Sequence, residues 1–267
     1  MTKSILVPFD FTPAAERALE SAVTIAKMHP GSTIEVLNVV AKDSEKDEAL
    51  AKLKSATESF DYEIGHIVLA GKVLHVIPET LKEMKYDYAC MGTHGVHGMQ
   101  NIFGPDALKI VTDSNIPFII TQDNKSIKDL DTVVVPFSYS KESIQIGQFI
   151  VDLVDHANCH IKLVGYMDQD QWLKMDMITN KAVIGKLFKN NELDIEFVNM
   201  GKDGSYEESL LKYADSINAD LIAAAHFSGS ILSIRKNFVR DMINNEYNIP
   251  VLTVKTEANS TATFTTY

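Results

Sequence analysis

The sequence repeats itself, and this repeat constrains the fold more than any other feature does. Two apolar runs each end in Val-Pro-Phe and lead through a polar turn into a helical pattern: ILVPFDFTPAAERAL begins at Ile5, and VVVPFSYSKESIQIG begins at Val133. The later segments SNIPFIIT, from Ser114, and YNIPVLTV, from Tyr247, match each other as well. Because the matching segments keep their order along the chain, we predict a duplicated domain.

Each copy has the pattern of a parallel α/β sheet. The strands of the first copy are predicted at residues 4–8, 33–40, 64–70, 87–92 and 116–121. Their residues are apolar and often β-branched on both faces, as in a sheet that helices cover on both sides. The alternation with helical segments predicts a doubly wound five-stranded parallel sheet in each copy. We predict a first domain at 1–122, a linker at 123–130, a second domain at 131–255 and a flexible tail at 256–267.

Composition and charge indicate which binding partners and which cellular compartment to expect. The net charge of −11 disfavours binding to nucleic acid or to an anionic membrane surface. No apolar run approaches the length of a membrane span, and the N-terminal segment does not read as a signal peptide, so we expect a cytoplasmic protein. Cys90 and Cys159 lack the spacing of a redox pair and are expected to be buried thiols.

The second copy carries an apolar insertion. Residues 165–180 are predicted to form it, between the second strand and the following helix of that copy. Met167, Trp172, Met175 and Met177 cluster there. Such a cluster fits a local core, and it also fits an apolar pocket or a partner surface.

Unusual residues follow two strands of the first copy. Pro8 and Asp10 follow the first strand, and four glycines follow the fourth strand: Gly92, Gly95, Gly98 and Gly104. If the two strands are neighbours, these loops face each other across one crevice. Glycines allow backbone N–H groups to approach an anion, although they also form tight turns. Asp10 could accept a hydrogen bond from a ribose hydroxyl or cap the next helix.

These residues resemble the universal stress protein family in its tandem two-domain form. The family loop reads Gly-Ser/Thr-x-Gly, nine residues, and Gly-Ser/Thr; here it reads Gly92-Thr93-His94-Gly95, eight residues, and Gly104-Pro105. The segments VPFDF and NIPFII also resemble the first and last strands of that family. The resemblance implies an adenine nucleotide alpha hydrolase-like fold, a pseudo-two-fold pair joined within the chain through the fifth strands, and a possible homodimer.

The resemblance also implies a site for ATP or AMP in the first domain. Adenine and ribose would contact Pro8, Asp10 and Val39, while the phosphates would contact Gly92, Gly95 and Gly104. The other candidate site residues are Met91, His94, Gly98 and Asp106. Pro105 offers no backbone N–H to a phosphate and Asp106 adds negative charge, so ATP binding is expected to be weakened.

The second domain is expected to hold no nucleotide. Its residues at the positions of the four glycines all carry side chains: Ala225, Ser228, Ile231 and Asn237. Ser138 stands at the position of Asp10. Neither the phosphate cradle nor the ribose acid is therefore predicted there.

The expected function is a non-catalytic stress-response binding or regulatory module with at most one adenine-nucleotide site, in the first domain. The sequence has no Walker A loop, nucleophile elbow or HExxH motif, and His94 and His97 alone do not predict a metal site. Three alternatives stay open: an interaction module that binds no nucleotide, a slow adenine-nucleotide hydrolase, and an FAD-binding protein similar to electron-transfer flavoproteins.

Overall fold

The computed structural model describes most of the chain. The described residues are 2–93, 109–111, 114–137, 142–154, 159–166, 171–200, 205–227 and 238–256. Within them, no helix combines the length and the apolar character that a membrane crossing requires.

The first half contains five strands in the predicted places. Its elements are β1 (Ser4–Pro8), α1 (Pro13–Met28), β2 (Thr33–Val40), α2 (Lys46–Thr57), β3 (Ile64–Ala70), α3 (Val73–Glu83), β4 (Tyr88–Gly92) and β5 (Phe118–Thr121). Strands β4 and β5 begin slightly later than predicted, and the other three agree with the prediction. Pro13 opens α1, where its missing N–H costs nothing.

The second half repeats this order with a longer second helix. Its elements are β6 (Thr132–Phe137), α4 (Glu142–Leu153), β7 (His160–Tyr166), α5 (Gln171–Asn190), β8 (Asp194–Met200), α6 (Tyr206–Ser216), β9 (Leu221–Phe227), α7 (Phe238–Ile243) and β10 (Val251–Thr256).

The prediction of an insertion at 165–180 between strand and helix was wrong. Gly165 and Tyr166 end β7, and the stretch from Gln171 onward is the N-terminal half of α5. Met177 and Ile184 lie on one face of this helix and pack on the core, so the helical period continues through the segment. Met175 does not belong to a local core, because 61% of it is exposed. Met167 and the side chain of Trp172 lie outside the described residues.

The ten strands of the described residues form one sheet, in the order β3-β2-β1-β4-β5-β10-β9-β6-β7-β8. Every neighbouring pair is parallel except β5 and β10, which pair antiparallel with Ile119 opposite Leu252. The order reads the same from both ends, as the expected pseudo-two-fold relation requires. The pairing of the fifth strands within the chain is thus confirmed, and it removes one exposed edge from each half.

Apolar layers cover both faces of the sheet and run through both halves. One layer packs under α1, α2, α4 and α5, and the other under α3, α6 and α7. Cys90 and Cys159 are free and buried, as predicted. Burial raises the pKa of the Cys90 thiol, and burial together with nearby carboxylates raises the pKa of Cys159 to about 12. Neither thiol is therefore a ready nucleophile.

Candidate functional site

The strand order of the first half reverses at β1: strands β2 and β3 lie on one side of β1, and strands β4 and β5 lie on the other side. Strand β1 pairs with β2 on one side, with Pro8 opposite Leu37, and with β4 on the other side, with Leu6 opposite Ala89. The two strands are thus neighbours, as the crevice hypothesis required. Because all three strands are parallel, their carboxyl ends meet at one edge of the sheet, the edge at which open α/β sheets bind ligands.

Five of the candidate site residues lie at this edge: Pro8, Asp10, Val39, Met91 and Gly92. Asp10 and Val39 are half-buried, whereas the Met91 side chain is fully buried in the apolar layer beneath α3. The other candidates lie outside the described residues: His94, Gly95, Gly98, Gly104 and Asp106. The structure thus describes the predicted adenine and ribose region but not the rest of the glycine loop.

Asp10 organises the turn between β1 and α1. Its Oδ1 accepts hydrogen bonds from the backbone N–H of Thr12 at 3.1 Å and from the Thr12 hydroxyl at 2.5 Å. Thr12, not Asp10, is the N-cap of α1, and its hydroxyl oxygen accepts from the Ala15 N–H at 3.3 Å. Asp10 therefore fixes the capping residue and does not cap the helix itself.

The second carboxylate oxygen of Asp10 is different. Oδ2 is buried and makes no hydrogen bond within the described part of the chain. A buried carboxylate oxygen usually has a donor, since leaving one unpaired costs free energy. This oxygen is consequently an acceptor at the strand edge that a ligand hydroxyl could satisfy.

The backbone around Asp10 is held in place from several sides. The Asn38 side-chain amide donates to the Phe9 carbonyl at 2.7 Å, and the Phe9 and Phe11 rings meet edge to face at 5.4 Å. Phe11 has a φ of 63°, in the left-handed region that non-glycine residues rarely adopt. The Lys52 ammonium lies 4.1 Å from the centroid of the Phe11 ring. These contacts fix the direction of the Asp10 carboxylate before any ligand binds.

Gly92 approaches protein backbone closely. A Cβ at this position would lie 2.3 Å from the Ala14 carbonyl carbon and 2.5 Å from the Ala15 nitrogen. The same turn of α1 is tied to β5, because the Thr121 hydroxyl donates to the Ala14 carbonyl at 3.2 Å. The packing of α1 on β4 therefore requires Gly92, independently of any role of the later glycines.

Sequence reasoning overlooked two residues of this edge, Thr12 and Asn38. Asn38 is a polar residue inside the apolar run of β2, and it is 8% exposed. A buried amide in such a run has to hydrogen-bond, so Asn38 was the sequence signal that could have identified this part of the edge. In the second half, Ala225 occupies the position of Gly92 at the core, while Ser138, Ser228, Ile231 and Asn237 lie outside the described residues.

The comparisons with known proteins agree with this architecture. Residues 1–122 match the universal stress protein family. A universal stress protein from Archaeoglobus fulgidus DSM 4304 has a similar structure, with a TM-score of 0.70 and 17% identity over 94% of this chain and 98% of that protein. A functionally unknown protein from Pseudomonas aeruginosa PAO1 gives a TM-score of 0.65 at 13% identity, over 95% and 92%. Among proteins with curated descriptions, none matches this chain in sequence.

The match to the universal stress protein family covers residues 1–122, the first half of the chain. The ten-stranded sheet is consistent with two tandem domains of that fold.

Proposed function

We propose that this chain is a cytoplasmic, non-catalytic stress-response binding protein with one adenine-nucleotide site, formed in the first half where β1 and β4 end. The match of residues 1–122 to the universal stress protein family supports the stress-response role. Two buried free thiols fit a reducing compartment.

One observation carries the nucleotide proposal: the buried Asp10 Oδ2 has no hydrogen-bond donor among the described residues. A ribose hydroxyl is a donor of suitable size, and the fixed turn presents this oxygen at the edge where β1 and β4 diverge. Val39, which is half-buried, offers apolar surface for the adenine ring, and the buried Pro8 supports the same edge from β1. The phosphates would extend beyond β4 toward residues 95–104, with Pro105 and Asp106 favouring one phosphate over three.

The test distinguishes the role of the Asp10 Oδ1 atom from the role of the Oδ2 atom. Asp10→Asn keeps an acceptor for Thr12 but replaces the unpaired oxygen by an amino group. We expect it to lower the affinity for AMP about tenfold, the effect of one hydrogen bond to a charged group. Isothermal titration of AMP, ATP and 2′,3′-dideoxy-AMP measures this, and AMP should bind at least as tightly as ATP.

One control is a ligand without ribose hydroxyls, and the other is a variant of a second acidic residue. Dideoxy-AMP lacks the hydroxyls that Asp10 would bind, so wild type and Asp10→Asn should bind it equally well. Asp43→Ala removes an exposed carboxylate that pairs with Lys46 beyond β2, and it should leave AMP affinity unchanged. The proposal fails if neither AMP nor ATP binds below ~1 mM. It also fails if Asp10→Asn weakens AMP and dideoxy-AMP to the same extent.

A further inference from the structure

A small cavity lies in the second half, under the N-terminal half of α5. Its volume is about 80 Å³. Apolar side chains form its walls: Phe137 from β6, Leu163 from β7, Met177 from α5 and Phe197 from β8. It belongs to the opposite half of the chain from the nucleotide site and does not depend on that proposal.

The cavity lies where the first half carries a polar side chain. The strand registers place Pro8 opposite Leu37 and Pro136 opposite Val164, so Gly165 corresponds to Asn38. In the first half, Asn38 fills this position and bonds to the Phe9 carbonyl. In the second half, the Met177 methyl group lies there instead, 2.3 Å from where a Gly165 Cβ would be. A buried amide has thus been replaced by a flexible thioether and open space.

The charges around the cavity define the ligand. None of the described residues that line it is acidic, and Lys181 supplies the cation among them. The Lys181 side chain is exposed, and its ammonium lies 4.0 Å from the centroid of the Phe197 ring, which also lines the cavity. An apolar space lined by one cation among the described residues is complementary to a molecule with an apolar tail and one negative group.

The size of the cavity sets the length of that tail. Its volume is about half of the ~150 Å³ that holds benzene in an engineered protein, so a bicyclic base does not fit. A tail of about three carbon atoms fits a space of this volume. Ile178, which lines the cavity and is 50% exposed, offers further apolar surface there.

We propose that the second half binds a short-chain monocarboxylate in this cavity, its tail between Leu163 and Phe197 and its carboxylate on Lys181. The site is unrelated to nucleotide binding in chemistry and in place. The repeat that lost its phosphate-binding glycines would thereby have gained a different ligand.

The test uses the full chain with carbon-13-labelled methionine methyl groups, and Met177→Leu assigns the Met177 signal. Butanoate should shift this signal and bind about tenfold more tightly than butan-1-ol, while butylamine should not bind. Lys181→Met should remove the preference for butanoate over butanol. Lys186→Met changes an exposed lysine of α5 that does not line the cavity, and it should leave that preference unchanged.

A second variant tests the cavity itself. Gly165→Asn restores the residue type of the first half, and it should abolish binding of both butanoate and butanol while the other methionine signals stay in place. The proposal is overturned if butanoate does not shift the Met177 signal, if the three probes bind equally, or if Lys181→Met leaves butanoate affinity unchanged. Asp10→Asn should bind butanoate like wild type, so failure of the nucleotide site would leave this result intact.

Discussion

Replacing Gly92 by alanine is expected to destabilise the protein by at least ~3 kcal/mol, the upper range for overpacking. The added methyl group would lie 2.3–2.5 Å from backbone atoms of Ala14 and Ala15, whereas carbon atoms in contact are separated by about 3.5 Å or more. Backbone atoms cannot rotate away as a side chain can. Helix α1 would have to move off β4 and lose part of its buried face, and urea unfolding followed by circular dichroism measures the cost.

Gly185→Ala is the matched control, because it makes the same chemical change in the interior of helix α5. A Cβ there would meet atoms of Phe197 and Ile195 at 3.5–3.6 Å, which is ordinary contact. We expect it to stabilise the protein by about 0.5–1 kcal/mol, through the better helix propensity of alanine. If both variants unfold within ~0.5 kcal/mol of wild type, the close approach of α1 to β4 is not needed for stability.

Gly92 also shows what kind of contact the sequence alone cannot identify. The pattern of a strand followed by glycines correctly predicts that the backbone approaches something closely at this point. The partner is the first turn of α1, which is distant in sequence, and periodicity cannot reveal which distant segment packs there. A glycine that a ligand needs and a glycine that a helix needs look alike in a sequence.

Strand positions were predictable because apolar runs mark the five strands of the first half. The joining of the halves was predicted from the family resemblance, which implied that the fifth strands pair, and they do. The N-terminal half of helix α5 was missed because the predicted insertion at 165–180 covered it. The signal for the helix was present, since Met177, Ile184 and Phe188 keep a helical spacing and pack on the same layer.

Asp10 was predicted as a site residue, but its two oxygens could not be told apart from sequence. One oxygen is used by Thr12, two residues away, and a short acid followed by Thr-Pro suggests such a turn. That the other oxygen is buried depends on how neighbouring strands and side chains enclose it. Burial of a single atom is a tertiary property, so the structure adds what the motif lacks.

Removing Asp152 is expected to cost about 2–3 kcal/mol of unfolding free energy, because it breaks a polar link between the halves. Asp152, near the end of α4, pairs with Lys3, and its Oδ2 accepts from the Tyr88 hydroxyl at 2.7 Å. The Lys3 side chain is only 4% exposed, so Asp152→Ala would leave a buried ammonium unpaired. Water reaches Asp152, which is 40% exposed, and this keeps the cost below that of a fully buried pair.

Asp61→Ala is the control for this link. Asp61 pairs with Lys27 at 3.4 Å, and both side chains are exposed. Exposed pairs contribute little, so this variant should change the unfolding free energy by less than ~0.5 kcal/mol. If Asp152→Ala is as mild as Asp61→Ala, the link between the halves does not hold them together.

The pH dependence tests the same link through the charge of Asp152. Burial alone raises the pKa of Asp152, but hydrogen bonds from Lys3 and Tyr88 outweigh it, so the pKa is lowered in the folded protein. The carboxylate therefore stabilises the fold fully above its unfolded pKa of about 3.9, and this stabilisation is lost as the pH falls through the lowered folded value. Asp152→Asn keeps the shape without the charge. Its deficit against wild type should be constant from about pH 7 to 5 and shrink toward pH 3, and a deficit that persists unchanged at pH 3 would show that shape, not charge, sustains the link.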